Sequence, residues 1–261
     1  MDGSEIYLGK AIQSLGTETF SEALKVWLSK CIDFDNIATL AYFQDRPPIA
    51  LMYDAFSPIA QMSLEKTYLT GAYLLDPFHD LHTRKAPAGL YQLKDIAPDH
   101  FMRNRYFRDY YQNTGMIDEL VFTAYPAKGV SVHVCLGRDQ KSGNRFAQRA
   151  TRNAARIAPV VTALAESHWT DLNTTGQYNE QDLITKLIQS AQQMYNIKLS
   201  PRQAQVAILI LRGHSSVSIG LRLEVSAQTV KVFRKQLYKK CEISSQVELF
   251  SLFLPLLGST N

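Results

Sequence analysis

The sequence predicts an α+β chain in two parts. An N-terminal antiparallel sheet covered by helices comes first, followed by a C-terminal all-α four-helix domain containing a helix-turn-helix. Three observations predict this. Two pairs of strand-like segments, 36–44 with 49–56 and 119–125 with 129–137, each flank a short turn and read as hairpins. Residues 171–181 (DLNTTGQYNEQ) are polar, contain a glycine and carry no apolar period, which is the composition of a linker. Beyond them, residues 182–195 and 225–241 carry apolar residues at helical spacing. The boundaries follow as 1–170 for a sensor-like α/β domain, 171–181 for the linker and 182–261 for the helical domain.

In chain order, residues 5–15 and 18–31 read as helices. Phe20, Ala23, Leu24, Trp27, Leu28 and Cys31 form the apolar face of the second. The turn of the first hairpin is Asp45-Arg46-Pro47-Pro48. Pro58 opens a helix through Leu69, since proline suits a first helical turn. Asp76-Pro77 begins a loop, and 90–96 reads as a further short strand. Asp99 caps a helix over 101–114 with Phe101, Tyr106, Phe107, Tyr110 and Tyr111 on its aromatic face, and Gly115 ends it. The second hairpin turns at Pro126-Ala127-Lys128-Gly129. Residues 144–169 form one long helix with a kink expected at Pro159. Residues 182–195 make an amphipathic helix, either the first of the C-terminal unit or part of a dimer contact.

Composition narrows the function. At 261 residues the chain is long for one compact domain and comfortable for two. No apolar run reaches 18 residues, so no membrane span is expected, and the polar, acidic start is unlike a signal peptide. The three cysteines, Cys31, Cys135 and Cys241, are far apart and lack a CxxC, as expected of reduced thiols in a cytoplasmic protein. Charge is distributed unevenly. Residues 199–261 hold eight Lys and Arg against three Asp and Glu, leaving 20 against 21 for the rest of the chain. A cationic small domain on a near-neutral large one is the footprint of a nucleic-acid reader.

That charge gathers on 225–240 (VSAQTVKVFRKQLYKK). Ser226 suits an N-cap, and Val230, Phe233, Leu237 and Cys241 make one apolar stripe. Gln228, Lys231, Lys235 and Lys239 fall on other faces, with Arg234 and Lys240 beside them. A charged helix is ordinarily a solvated surface helix, but here no acidic residue offers i,i+4 pairing to the cations. A short helix at 217–223 precedes it across a turn at 224–226, as in a helix-turn-helix.

The stretch LSPRQAQVAILILRGHSSVSIGLRLEVSAQTVKVFRKQLYKKCEIS resembles the C-terminal DNA-binding domain of LuxR-type bacterial transcription regulators. The ungapped matches fall at Leu199, Ser200, Arg202, Val206, Leu209, Gly213, Ser215, Ile219, Leu223, Ser226, Thr229, Val230 and Lys231. The departures are Gln203 and Gln205 where the family carries Glu, Ser216 for Asn, Ser218 for Glu, Phe233 for His and Cys241 for Leu. The resemblance implies a double-stranded DNA partner and a homodimer. It places Lys231, Val232 and Lys235 at base edges in the major groove and Thr229, Arg234 and Lys239 beside phosphates, with Ser226 and Gln228 in the same contact set.

Two hairpins with helices on both sides are also the layout of GAF, PAS and autoinducer-binding sensor modules. Residues 64–91 resemble the autoinducer-binding module of quorum-sensing LuxR proteins, which has W-x3-Y on a helix, then Asp-Pro, then a second Trp. Tyr68 matches the tyrosine and Asp76-Pro77 the Asp-Pro, Leu64 replaces the first Trp, and Tyr91 stands nearest the second. The resemblance implies a small-molecule effector held by Tyr68, Asp76 and Tyr91, between the sheet and the helix that carries Tyr68. Leu64 cannot supply the hydrogen bond that the family's Trp gives a lactone carbonyl. The alternative for Asp76 is local: it caps the turn before Pro77.

Asp76, His79 and His82 have the residue types of a metal site but are expected in a loop without a further ligand, so no metal and no cofactor is expected. His133 and His214 read as structural. No nucleophile–base pair, phosphate loop or carboxylate pair stands out, and the helical N-terminus without an acidic pair excludes a phosphorylatable receiver. The expectation is a cytoplasmic, dimeric, non-enzymatic DNA-binding regulator modulated by a small molecule. Its alternatives are a ligand-independent regulator whose first domain only dimerises and, more remotely, an enzyme targeted to nucleic acid by its basic domain. In the last helix Val247, Phe250 and Leu254 are expected to face inward. Phe253, Leu256 and Leu257 are expected as apolar surface left over, either a seam between two DNA-binding units or contacts to the chain's own sensor domain.

Overall fold

The computed structural model describes residues 3–55, 58–103, 107–112, 114–140, 142–174 and 180–258. The chain divides into two compact units. The first comprises residues 1–61, 81–96 and 114–178, and the second 62–80, 97–113 and 179–261.

The first unit is built on a five-stranded antiparallel sheet of order β2-β1-β5-β4-β3. Its strands are β1 (Asn36–Phe43), β2 (Ile49–Asp54), β3 (Gly89–Gln92), β4 (Met116–Ala127) and β5 (Val130–Asp139). β5 is central: Leu40 lies opposite His133, and His133 opposite Thr123. Two helices, α2 (Phe20–Cys31) and α6 (Gln148–His168), cover one face. There Leu24, Trp27 and Leu28 meet Ile37, Phe122, Val132 and Val134, with Ile157 and Val161 across from them. This face holds the hydrophobic core. α1 (Ser4–Gln13) packs on α2.

On the opposite face of β5, Ser131 and His133 are fully buried. The hydrophobic alternation of β5 therefore marks its helix-covered side only. Its polar side is buried because His82 and Tyr42 close over it: His82 Nδ1 lies 2.7 Å from Ser131 Oγ, and the rings of Tyr42 and His133 are 4.6 Å apart. Burial holds both imidazoles neutral, lowering His82 to about 4 and His133 well below its ordinary value.

The second unit joins segments 62–80 and 97–113 to the C-terminal helices α7 (Glu180–Tyr195), α8 (Pro201–Leu211), α9 (Ser216–Leu223), α10 (Ala227–Lys240) and α11 (Gln246–Gly258). The contact pattern thus differs from a single cut at 171–181. Segments expected in the sensor-like domain pack with the helical one, because their buried side chains (Leu74, Leu75, Phe78, Phe101) need an apolar partner and α11 supplies one at Ala72–Leu75.

Several elements differ locally from expectation. The helix expected from Pro58 is α3 (Pro58–Ser63) followed by a π-helical turn, Leu64–Tyr68. The loop after Asp76 is instead helix α4 (Pro77–Thr83), with the Asp76 carboxylate accepting from the Phe78 amide at its start. β3 stops at Gln92, and Leu93–Ile96 is a helical turn, α5. The expected helix over 101–114 is a 3-10 turn (Phe101–Arg103) and a π-helix (Phe107–Gln112), whose Phe101, Phe107 and Tyr111 rings pack together. Tyr106 and the Tyr110 side chain lie outside the described residues. α6 begins at Gln148, after extended Ala147, so the polar segment before it does not extend the helix.

Phe253, Leu256 and Leu257 of α11 are buried, so they are not left over as a surface seam; of the two alternatives, α11 makes the contacts to a segment expected in the sensor-like domain, at Ala72–Leu75. Val247, expected inward, is exposed. The buried residues of α11 cover more than one side because it packs on α7, α8 and the 72–75 turn at once.

Candidate nucleic-acid interface

α10 and the two helices before it, α8 and α9, each begin at a side-chain cap. Ser200 and Gln203 form a reciprocal capping box at the start of α8: Gln203 N–H donates to Ser200 Oγ at 3.2 Å, and Ser200 N–H to Gln203 Oε1 at 3.0 Å. The same Gln203 oxygen accepts from Lys240 Nζ at 3.1 Å, so glutamine preserves the cap without the family's negative charge. Ser215 caps α9 through the Ser218 amide, and Ser226 caps α10 through the Thr229 amide at 3.0 Å. Between them Glu224 takes the left-handed conformation (φ 55°), and Val225 N–H donates to Gly220 O at 2.9 Å. A Cβ on Gly220 would lie 2.7 Å from the Val225 carbonyl oxygen, which explains glycine at this close approach.

The inward face of α10 is Val230 and Leu237, both fully buried, with Cys241 just past its end. Phe233 is only half-buried, so the expectation that it faces fully inward is corrected: it lies at the edge of the packed stripe. Outward, Gln228, Lys231, Val232, Lys235 and Lys239 are all exposed and succeed one another at helical spacing. Thr229 and Arg234 are half-buried, and the Arg234 guanidinium lies 5.1 Å from the Tyr238 ring. Among the described residues no carboxylate pairs with Lys231, Lys235 or Lys239. A stripe of unpaired ammonium groups flanked by amide and methyl groups can neutralise phosphates and meet base edges.

Sequence reasoning missed how residues before 180 grip the base of this motif. In the second unit, Arg212, buried at the end of α8, donates from Nε to the Leu74 carbonyl at 3.1 Å. His100 N–H donates to Gly213 O at 2.9 Å, and Ser215 N–H to Asp99 Oδ1 at 3.0 Å. Arg222 stands 4.0 Å from Asp80. Burial alone would raise the Asp99 carboxyl, but the Ser215 hydroxyl and amide outweigh it and hold it below its ordinary value. Burial, reinforced by the charges of Arg222 and Arg212, lowers His214 to about 4. The available signal was a cation closing the apolar run AILIL.

Tyr68 and Asp76 come together in this unit. The Tyr68 hydroxyl donates to one carboxylate oxygen of Asp76 and the Phe78 amide to the other. Burial pushes the carboxyl up to about 6 against the pull of those two donors. Tyr91 belongs to the other unit, where its hydroxyl donates to the Pro87 carbonyl at 2.7 Å. His79 packs against Tyr73 and His82 against Ser131, and among the described residues no three His, Cys, Asp or Glu side chains are placed to hold a metal ion.

Residues 198–253 match the family of bacterial regulatory proteins described as the luxR family. The chain is 28% identical over 184 residues, 69% of its own length and 93% of the relative's, to an Aeromonas salmonicida protein named "Putative HTH-type transcriptional regulator in exeN 3'region". Its structure is similar to that of the VqsR LBD domain from Pseudomonas aeruginosa, with a TM-score of 0.55 and 25% identity, over 65% of this chain and 98% of that one.

Proposed function

From the premise that this chain is a transcription regulator of the LuxR family, its helix-turn-helix at 198–253, we propose that it acts in the cytoplasm as a homodimer. In this reading a small molecule alters its hold on double-stranded DNA. The observation that carries the DNA-binding part is the capped α10 with its exposed, acid-free stripe of Lys231, Lys235 and Lys239. Lys231, Val232 and Lys235 meet base edges in the major groove. Thr229, Arg234 and Lys239 meet phosphates, and Ser226 and Gln228 stand at the helix start beside them. One such unit touches few base pairs, so two linked units gain affinity through effective concentration. No helix among the described residues is long and apolar enough to cross a membrane.

The likeness to an LBD domain supports an effector-binding role for the residues before the helical domain. The effector acts through segments 62–80 and 97–113, because these carry Tyr68 and Asp76 and also grip Arg212, Gly213 and Ser215 at the foot of α9. A ligand that prefers one arrangement of that grip shifts DNA affinity, whereas equal affinity for both shifts nothing. One observation favours the ligand-independent alternative: both oxygens of Asp76 are already satisfied within the chain. Fluorescence anisotropy with duplexes selected from a random pool, with and without a cell extract of small molecules, separates the two. Sedimentation at micromolar concentration tests the dimer. Salt-independent or absent DNA binding would sink the whole reading.

A further inference from the structure

In the sheet-bearing unit a cleft of about 380 Å³ opens between the end of β1, the loop after α4 and the β4–β5 turn. It shares no residue with Tyr68, Asp76 or Tyr91, and it does not depend on the DNA-binding reading. Its volume lies within the range of small-molecule sites. Lys85 and Lys128, both exposed, line it, and among the described residues no Asp or Glu does. Ala86, Ala127 and Val130 supply apolar wall, with His82 and Gln44 beside them.

The walls are cross-linked before any ligand arrives. The Tyr125 hydroxyl donates to the Ala86 carbonyl at 2.5 Å, tying β4 to the loop, and the His82–Ser131 contact ties α4 to β5. Gly129, at φ 77°, lets the turn approach Gln44, whose Oε1 would lie 2.8 Å from a Cβ placed there. A preformed recess spends little binding energy on ordering.

We propose that this cleft binds a small amphipathic anion, a carboxylate bearing a short apolar chain. Two lysines with no opposing carboxylate select negative charge, and compact ammonium groups suit a single carboxylate head. The alanine, proline and valine surface below them takes the hydrocarbon, for which water is the poorer solvent.

Calorimetry on the full chain tests this with hexanoate as the probe and hexan-1-ol as its neutral counterpart. Saturable hexanoate binding is expected, stronger than that of the alcohol. Lys85→Ala with Lys128→Ala should weaken hexanoate about tenfold and leave the alcohol unchanged, as removal of two solvent-screened charge contacts implies. Ala88→Trp, at an exposed lining position, should block both without disturbing the core. The proposal is overturned if hexanoate does not bind saturably, if it binds the lysine double variant as well as the unaltered chain, or if its binding survives Ala88→Trp with unfolding unchanged.

Discussion

The guanidinium of Arg212 donates to the main-chain carbonyl of Leu74, 138 residues earlier in the chain, and is buried where it does so. Replacement by Met keeps the stem and removes the charged donor, leaving the carbonyl without that bond. The expected cost is about 1.5–3 kcal/mol, since hydrogen bonds to charged groups exceed neutral ones. Asp99→Ala removes a solvent-screened partner of the Ser215 amide and should cost less than about 1 kcal/mol. Urea unfolding of the two variants checks the order; an Arg212→Met variant as stable as the unaltered chain would show that the grip contributes nothing.

Asp76 gives a pH-dependent signature. Its folded value of about 6 lies above the ordinary 3.8, chiefly through burial. The folded state therefore holds the proton more tightly than the unfolded one. The stability this contributes is complete below about 3.8 and is lost as pH rises through about 6. Asp76→Asn cannot ionise. Relative to the unaltered chain it should gain on the order of 3 kcal/mol between pH 4 and pH 7. A stability difference that stays flat across that window contradicts the burial argument.

The core of the helix-turn-helix should be most sensitive at its fully buried positions. Leu237→Ala removes a side chain with no exposure and should cost ~2–5 kcal/mol. Phe233→Ala should cost less than the ~3–5 kcal/mol of a fully enclosed phenylalanine, because its ring is half-buried. Thermal unfolding of the two variants reads the difference. A larger loss at Phe233 would mean that α10 is rotated from the orientation described.

Periodicity made α10 legible, because one face had to be apolar and the remainder carried no acid. The cap at Ser226 and the two hairpins were legible for similar local reasons, whereas the caps at Ser200 and Ser215 were found only in the structure. The attachment of 62–80 and 97–113 to the C-terminal helices was not, since it runs through main-chain groups of Leu74, His100 and Gly213 that leave no mark on side-chain identity. The complete burial of Phe253, Leu256 and Leu257 was not legible for a different reason. An amphipathic pattern counts apolar residues but does not say how many neighbours a helix has. The burial of Ser131 and His133 on the polar side of β5 was not legible because their partners, His82 and Tyr42, come from elsewhere in the chain.

In the proposed function α10 reads DNA, with Lys231 at base edges and Lys239 at a phosphate. The most direct measurement is selection from a random duplex pool at fixed salt for the unaltered chain, Lys231→Ala and Lys239→Ala, followed by titration of the selected site across salt concentration. Lys231→Ala should change the preferred sequence. Lys239→Ala should keep that preference, bind all sequences more weakly by about the same factor, and flatten the salt slope by ~1. A Lys231→Ala variant with unchanged affinity and unchanged preference would contradict the account.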